Sequence, residues 1–144
     1  MDKMEYPGVR FSMDAKLGSL ITPINIDIST GDAITPRAIE YQYKLLLDDH
    51  SIKLWSYNLE TILAEKLQTI LARGIYNTRM RDFYDLYEII QKMKFSWNIY
   101  KDAFDATCRR RQTVFTKEEI KLELQNLHSS IQMEEFWNQF KYKN

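Results

Sequence analysis

The hydrophobic pattern of this chain changes its period near residue 58, and that change restricts the fold more than any other feature. Before it, apolar side chains recur at every second position, most clearly over residues 9–17 and 24–29, as in half-buried strands. After it, they recur every three to four positions, as in helices. Strands followed by helices predict an α+β fold, a small and mostly antiparallel sheet followed by a helical C-terminal part. We therefore expect a β-rich part, 1–57, and a helical part, 58–144, packed as one structural unit.

Turn and capping residues divide the two parts into elements. Asn58 is a plausible N-cap for the first helix, and Gly74 is a natural C-terminal stop for it. Thr116 opens a capping box that predicts another helix start. Weaker third and fourth strands are predicted at 45–47 and 52–54, and the remaining helices at about 78–93, 97–110 and around 133–140.

Composition excludes several classes of protein. The 20 basic and 20 acidic side chains cancel, so wholesale electrostatic binding of nucleic acid is not predicted. The single cysteine rules out an intrachain disulfide and suggests a reducing compartment. Neither an apolar run of membrane-spanning length nor a signal-peptide pattern is found in the sequence. We expect a cytoplasmic protein with no membrane partner.

A lysine lies within the apolar arc of the first predicted helix. At about 100° per residue, Lys66 falls among leucines and isoleucines, whereas Glu65 and Gln68 fall on the opposite side, where solvent-exposed residues are expected. One interpretation is that Lys66 buries its stem and keeps its ammonium in water. The other is that Lys66 points at an anion, either a carboxylate or a phosphate.

The second predicted helix carries the opposite charge in an equivalent place. Asp82 falls within its apolar arc and Asp85 at the edge of that arc. Buried carboxylates need partners, and the local pairs Arg79–Asp82 and Arg81–Asp85 would supply them. The alternative is a polar site shared between the two helices. Because a buried ion pair adds little net stability, function is the better reason for such a site.

Two further features have competing interpretations. Asp27 lies on the strand face opposite three isoleucines, where it is either simply exposed or a carboxylate ligand for a hard cation such as Mg²⁺. The run 109–111 consists of three arginines at a helix end. We interpret this run as a solvated cap that complements the helix dipole, with a contribution to a phosphate or nucleic-acid surface as the alternative.

Three stretches in order, Ile26–Asp32, Glu60–Leu67 and Asn77–Tyr87, resemble the AbiEii/AbiGii-type nucleotidyltransferase toxins of bacterial abortive-infection and toxin–antitoxin systems. The resemblance implies transfer of a nucleotide from a nucleoside triphosphate to an acceptor, with RNA as a candidate, by a toxin that has a cognate antitoxin. It also implies Mg²⁺ bound by Asp27, a lysine near the triphosphate, and an acidic motif that supplies a base or orienting group. The implied catalytic residues are Asp27, Lys66, Asp82 and Asp85, and the implied nucleotide-binding residues are Lys66, Arg79 and Arg81.

The sequence departs from the family pattern at its first motif, a Gly-Ser turn followed by an acidic pair. Here Gly18-Ser19 is followed by Leu-Ile-Thr-Pro, without the pair, and only 26 residues precede Asp27. The chain thus resembles the C-terminal portion of such a toxin, and we expect it to be inactive alone. The alternative to an enzyme part is a catalytically inactive remnant that acts as a binding module, or that self-associates through an exposed N-terminal sheet edge.

Overall fold

The structure, a computed structural model, describes residues 8–143 of the chain. It has the predicted α+β class, with two small antiparallel sheets followed by helices. The strands are β1 Gly8–Leu17, β2 Leu20–Ser29, β3 Ile39–Lys44 and β4 Ser51–Ser56. The helices are α1 Leu59–Arg73, α2 Met80–Lys92, α3 Trp97–Arg110, α4 Lys117–Ser129 and α5 Ile131–Lys143, with a 3₁₀ turn at Gly74–Tyr76. None of the helices described is long and apolar enough to span a membrane.

The chain divides into two compact units, Met1–Asp32 and Ala33–Asn144. The predicted boundary at 57/58 instead marks the change from strands to helices. Residues 1–7 and 144, which belong to the predicted β-rich and helical parts, lie outside the described residues.

The described part of the first unit is a β-hairpin. β1 pairs with β2 in antiparallel register from Gly8 opposite Ser29 to Leu17 opposite Leu20. Alternation places Phe11 opposite Ile26 on one face and Arg10 opposite Asp27 on the other. The hairpin therefore has an apolar face and a polar face, as the period-two pattern predicts.

In the second unit, β3 and β4 form a separate two-stranded sheet. The predicted third strand at 45–47 is wrong, because those leucines follow β3 in the turn, where Leu46 and Leu47 are almost fully exposed. The alternating residues Ile39–Lys44 pair with Ser51–Ser56 instead. As a sign of a strand, the apolar run 45–47 without alternation was therefore weaker than the alternating pattern of 39–44.

Capping side chains position α1, the helix that carries Lys66. Asn58 accepts a hydrogen bond from the Thr61 backbone N–H at 2.8 Å, as predicted for an N-cap. Its Nδ2 also donates to the carbonyl oxygens of Thr35 at 2.6 Å and Arg37 at 3.3 Å. One buried side chain therefore joins the helix start to the segment that precedes β3.

The helices pack around α1, which contacts both α2 and α3. A core cluster of buried apolar side chains joins α1, α2, α4 and α5, and is formed by Ile70, Met80, Leu127 and Met133. Aromatic rings form a second cluster around α3, in which Tyr100 lies within 6.4 Å, centroid to centroid, of the rings of Phe95, Trp97 and Phe104. Because α1 is covered by α2 and α3, two of its faces are buried, and the single-arc prediction described only one of them.

Candidate functional site

Lys66 extends from the middle of α1 to α2, where its ammonium meets two carboxylates. Nζ donates to Asp82 Oδ1 at 2.9 Å and to Asp85 Oδ2 at 2.8 Å. The Lys66 side chain is 18% exposed and the Asp82 side chain 4% exposed, so this ion pair is largely withdrawn from water. Of the two interpretations of Lys66, the structure supports the one in which it faces an anion, and that anion is a pair of carboxylates.

Asp82 has a second cationic neighbour from its own helix terminus. Arg79 Nε lies 2.8 Å from Asp82 Oδ2, so the predicted local pair exists together with the interhelical one. The contact lacks hydrogen-bond geometry, and Oδ2 is a buried atom with no hydrogen-bond partner among the described residues. The predicted pair Arg81–Asp85 is not among the ion pairs of residues 8–143, since Asp85 pairs with Lys66. Asp82 Oδ2 is thus ion-paired with Arg79 but accepts no hydrogen bond from the described residues.

The two carboxylates determine the charge of Lys66. Burial is the largest single influence and by itself lowers the pKa of Lys66, but hydrogen bonds with Asp85 and Asp82 together outweigh it. The pKa of Lys66 is therefore raised above its ordinary value. The ammonium therefore stays charged at neutral pH while both carboxylates hold it.

Two cavities adjoin this cluster. The larger, of about 510 Å³, is lined by Lys66, Asp82 and Asp85 together with the cationic side chains of Arg79 and Arg81. This volume lies in the range of roughly 300–1,000 Å³ that small-molecule sites occupy. The structure thus brings five of the six predicted site residues to one cavity. We call it the main cavity.

The smaller cavity, of about 200 Å³, lies next to the same lysine and is also lined by Arg79 and Asp82. Its lining also includes Glu65, Thr69 and Arg111. We call it the side cavity, since Lys66 borders both.

A polar network on the second buried face of α1 was not predicted from the sequence. Arg111 donates to Thr69 Oγ1 at 2.8 Å and also hydrogen-bonds Gln68 and Glu65. The predicted exposure of Gln68 and the predicted solvation of Arg111 are both wrong, because α3 covers this face of α1. Thr61, Ala64 and Gln68 lie three and four positions apart on α1 and are all buried, so this stripe of uncharged residues was the signal for a second buried face.

Asp27 lies in the other compact unit, on β2. Both of its oxygens are bound by Arg10 of the opposite strand, Oδ1 by Nε at 2.5 Å and Oδ2 by Nη2 at 2.8 Å. These hydrogen bonds lower the pKa of the exposed Asp27 carboxyl below its usual range. The immediate partner of this predicted metal ligand is therefore a guanidinium.

Comparison with known families decides what kind of chain carries this cluster. Residues 1–143 match the family model described as nucleotidyl transferase AbiEii toxin, Type IV TA system. The chain belongs to the AbiEii toxin family. The resemblance drawn from the three sequence stretches is thereby confirmed. No curated protein and no solved structure matches the chain.

Membership of the AbiEii family raises the question of the implied Mg²⁺. Within residues 8–143, no group of three or more His, Cys, Asp or Glu side chains could hold a metal ion. A hard cation prefers several oxygen ligands, and Asp27 alone, bound on both oxygens by Arg10, does not provide them. The described residues therefore do not fit a Mg²⁺ site by themselves, and Mg²⁺ at Asp27 stays a prediction.

Proposed function

We propose that this AbiEii-family chain binds the nucleoside triphosphate in a nucleotidyl-transfer reaction and presents it to an acceptor hydroxyl, with RNA as the candidate acceptor. One observation carries the proposal: Lys66 is held between Asp82 and Asp85 at a cavity that two further cations line. Cations that converge on one cavity suit the negative charge of a triphosphate.

The proposed roles follow from position and charge. Lys66, Arg79 and Arg81 bind phosphate oxygens and oppose the charge that develops on the leaving diphosphate. Asp82 accepts a hydrogen bond from the acceptor hydroxyl at Oδ2, which Arg79 contacts without hydrogen-bond geometry, and it either orients that hydroxyl or takes its proton. Asp85 holds the ammonium of Lys66 toward the main cavity. These roles concern binding and orientation by this chain's own residues, and we expect transfer itself only when carboxylates in addition to Asp27 complete the site.

The partners proposed for the chain follow from its family. A toxin of a toxin–antitoxin system is controlled by a cognate antitoxin, so we propose such a partner together with the nucleoside triphosphate. Both the triphosphate and an RNA acceptor are cytoplasmic molecules, which makes the cytoplasm the proposed place of action.

A non-catalytic binding module is the second candidate function. The observation that favours it is that, among the described residues, no three His, Cys, Asp or Glu side chains come together to bind a metal ion. The β1–β2 hairpin, with apolar side chains along one face, would then act in binding or in self-association through its sheet edge.

Equilibrium binding of labelled nucleoside triphosphates tests the main proposal. Charge-assisted hydrogen bonds are worth about 1.5–3 kcal/mol, so Lys66→Gln should weaken triphosphate binding by about tenfold or more. Lys92→Gln is the matched control, because Lys92 is an exposed lysine in an ion pair on α2. No binding of any of the four triphosphates by the unmodified chain, or equal binding by the Lys66 and Lys92 variants, would contradict the proposal.

A further inference from the structure

The side cavity collects three cationic side chains from three elements. Lys66 comes from α1, Arg79 from the start of α2, and Arg111 from the end of α3. At about 200 Å³ the cavity is smaller than the roughly 300–1,000 Å³ of sites that enclose a whole small molecule. It therefore suits a small anionic group rather than a complete nucleotide.

Arg111 is withdrawn from water to an unusual degree for an arginine at a helix end. Its side chain is 13% exposed, and its guanidinium engages Glu65, Gln68 and Thr69 of α1. Replacing a buried ion pair with apolar side chains of similar volume is often neutral or stabilising. Packing alone is thus a weak reason for an arginine at this position.

The cations of the side cavity are balanced by carboxylates in this structure. Glu65 pairs with Arg111, and Asp82 pairs with both Lys66 and Arg79. A carboxylate that pairs with a cation is a counter-ion that an incoming anion can replace. A planar guanidinium with five donors in a fork binds phosphate oxygens in the same way as it binds a carboxylate.

We infer that Arg111 and the side cavity form a polyphosphate subsite, in which Arg111 binds the end of a phosphate chain and Glu65 is its counter-ion when the subsite is empty. Lys66 and Arg79 border both cavities, so they would connect this subsite to the main cavity. The inference rests on the proposed function, since the polyphosphate is taken to be part of the nucleoside triphosphate.

Calorimetric titration with inorganic tripolyphosphate tests the subsite without a nucleoside. Arg111→Gln should weaken binding by about tenfold, because it removes a charge-assisted contact. Arg109→Gln, an exposed arginine of the same helix end, is the matched control and should bind within about twofold of the unmodified chain, since exposed charges are screened by salt. Circular dichroism and a thermal melt check that each variant is folded.

A second variant separates binding from a purely structural role. Glu65→Gln keeps a hydrogen-bonding side chain beside Arg111 but removes the competing negative charge. It should therefore tighten tripolyphosphate binding by several-fold. If the Glu65–Arg111 pair only holds α1 against α3, the same variant leaves binding unchanged or weakens it.

The outcomes also distinguish this inference from the proposed function. Absence of tripolyphosphate binding, a folded Arg111→Gln chain that binds like the unmodified one, or unchanged or weakened binding by Glu65→Gln would overturn the subsite. If nucleoside triphosphates still require Lys66 in those cases, the proposed function stands without it. If tripolyphosphate binding requires Arg111 but nucleoside triphosphates bind independently of Lys66, the subsite stands and the proposed function fails.

Discussion

Replacing Lys66 with Met should destabilise the protein, because it leaves Asp82 and Asp85 without the ammonium between them. Removing one partner of a buried ion pair costs about 3–5 kcal/mol. Arg79 remains beside Asp82, so we expect a value near the lower end, about 3 kcal/mol, in the free energy of unfolding by urea. Lys92→Met, which breaks an exposed pair with Glu88, should cost much less, because water and salt screen an exposed pair. Equal losses in the two variants would show that burial adds nothing to the Lys66 pair.

Tyr100 should make the stability of the protein fall at alkaline pH. Burial raises the pKa of Tyr100 from 10.0 to about 12. Between these values the unfolded chain has lost the phenolic proton while the folded chain retains it, so stability declines as pH rises. The raised pKa of Lys66 acts in the same direction above 10.5, and below that value its contribution is fully present.

Urea unfolding at a series of pH values from 8 to 12 measures the Tyr100 effect. Tyr100→Phe should flatten the decline in unfolding free energy that begins near pH 10. An unchanged slope in the Phe variant would assign the alkaline loss to other groups. The difference in tyrosinate absorbance between the folded unmodified chain and the folded Tyr100→Phe variant gives an independent measure of the Tyr100 pKa, because it removes the signal of the other tyrosines.

At the scale of elements, the start of α1 depends on Asn58. Asn58→Ala should cost about 1–3 kcal/mol, because it removes an N-cap and the Nδ2 donor to the half-buried Thr35 carbonyl, which keeps only the 3.3 Å bond from Thr61 Oγ1. Asn58→Asp keeps the cap acceptor for Thr61 but loses the amide donor to Thr35. Urea unfolding should therefore find Asn58→Asp destabilised as well, unlike an ordinary N-cap exchange. An Asn58→Asp variant as stable as the unmodified chain would show that the hydrogen bonds from Asn58 Nδ2 to the preceding segment contribute little to stability.

Element bounds could largely be predicted from the sequence where a capping residue sets them. Asn58, Gly74 and Thr116 cap their helices as predicted, and the capping box at Thr116 is complete. The strand at 45–47 could not be placed correctly, because three adjacent leucines show no period that distinguishes a strand from a turn. Pairing with β4 determines which residues form β3, and such pairing cannot be inferred from a short stretch of sequence.

The sequence predicted the part of the candidate site that lies on the buried face of α1 that contacts α2. Lys66 and Asp82 stood out because charges within an apolar arc need an explanation. Arg111 and Gln68 did not, because a helix wheel assumes one buried face and α1 has two. The partner of Glu65 lies 46 residues away, and such a distance cannot be inferred from periodicity.

At the scale of the whole molecule, the β1–β2 hairpin predicts self-association. A two-stranded hairpin is marginally stable alone, and within the described residues this one has no third strand. Its apolar face carries large side chains that are 42–58% exposed, namely Val9, Phe11, Met13, Ile24, Ile26 and Ile28. Such a face and the unpaired edges invite a second copy.

Sedimentation over a concentration series in the micromolar range measures this association. Phe11→Lys places a charge on the apolar face and should shift the equilibrium to monomer. Ser12→Lys, on the polar face, is the matched control and should leave association intact. An unmodified chain that stays monomeric throughout the series would refute the exposed-edge argument.

We also predict that this chain alone does not transfer nucleotides. Gly18-Ser19 is not followed by an acidic pair, and the described residues do not form a metal-ligating group. The measurement is incorporation of each labelled nucleoside triphosphate into RNA, protein and the chain itself, with Mg²⁺ and with Mn²⁺. Robust incorporation that disappears in Asp27→Ala would show that Asp27 suffices as the acidic residue of the sheet.

Two consecutive residues of α1 pair in opposite directions, Glu65 with Arg111 on α3 and Lys66 with Asp82 and Asp85 on α2. Exchanging the residues at positions 65 and 66 would leave composition, net charge and mean hydropathy unchanged. It would nevertheless place like charges next to each other on both sides of the helix. During the evolution of this sequence, we therefore expect a basic residue at position 65 to be tolerated only together with an acidic residue at position 111. A reversal at 66 requires changes at 82 and 85. The two sets should vary as separate groups, although their members on α1 are neighbours in the chain.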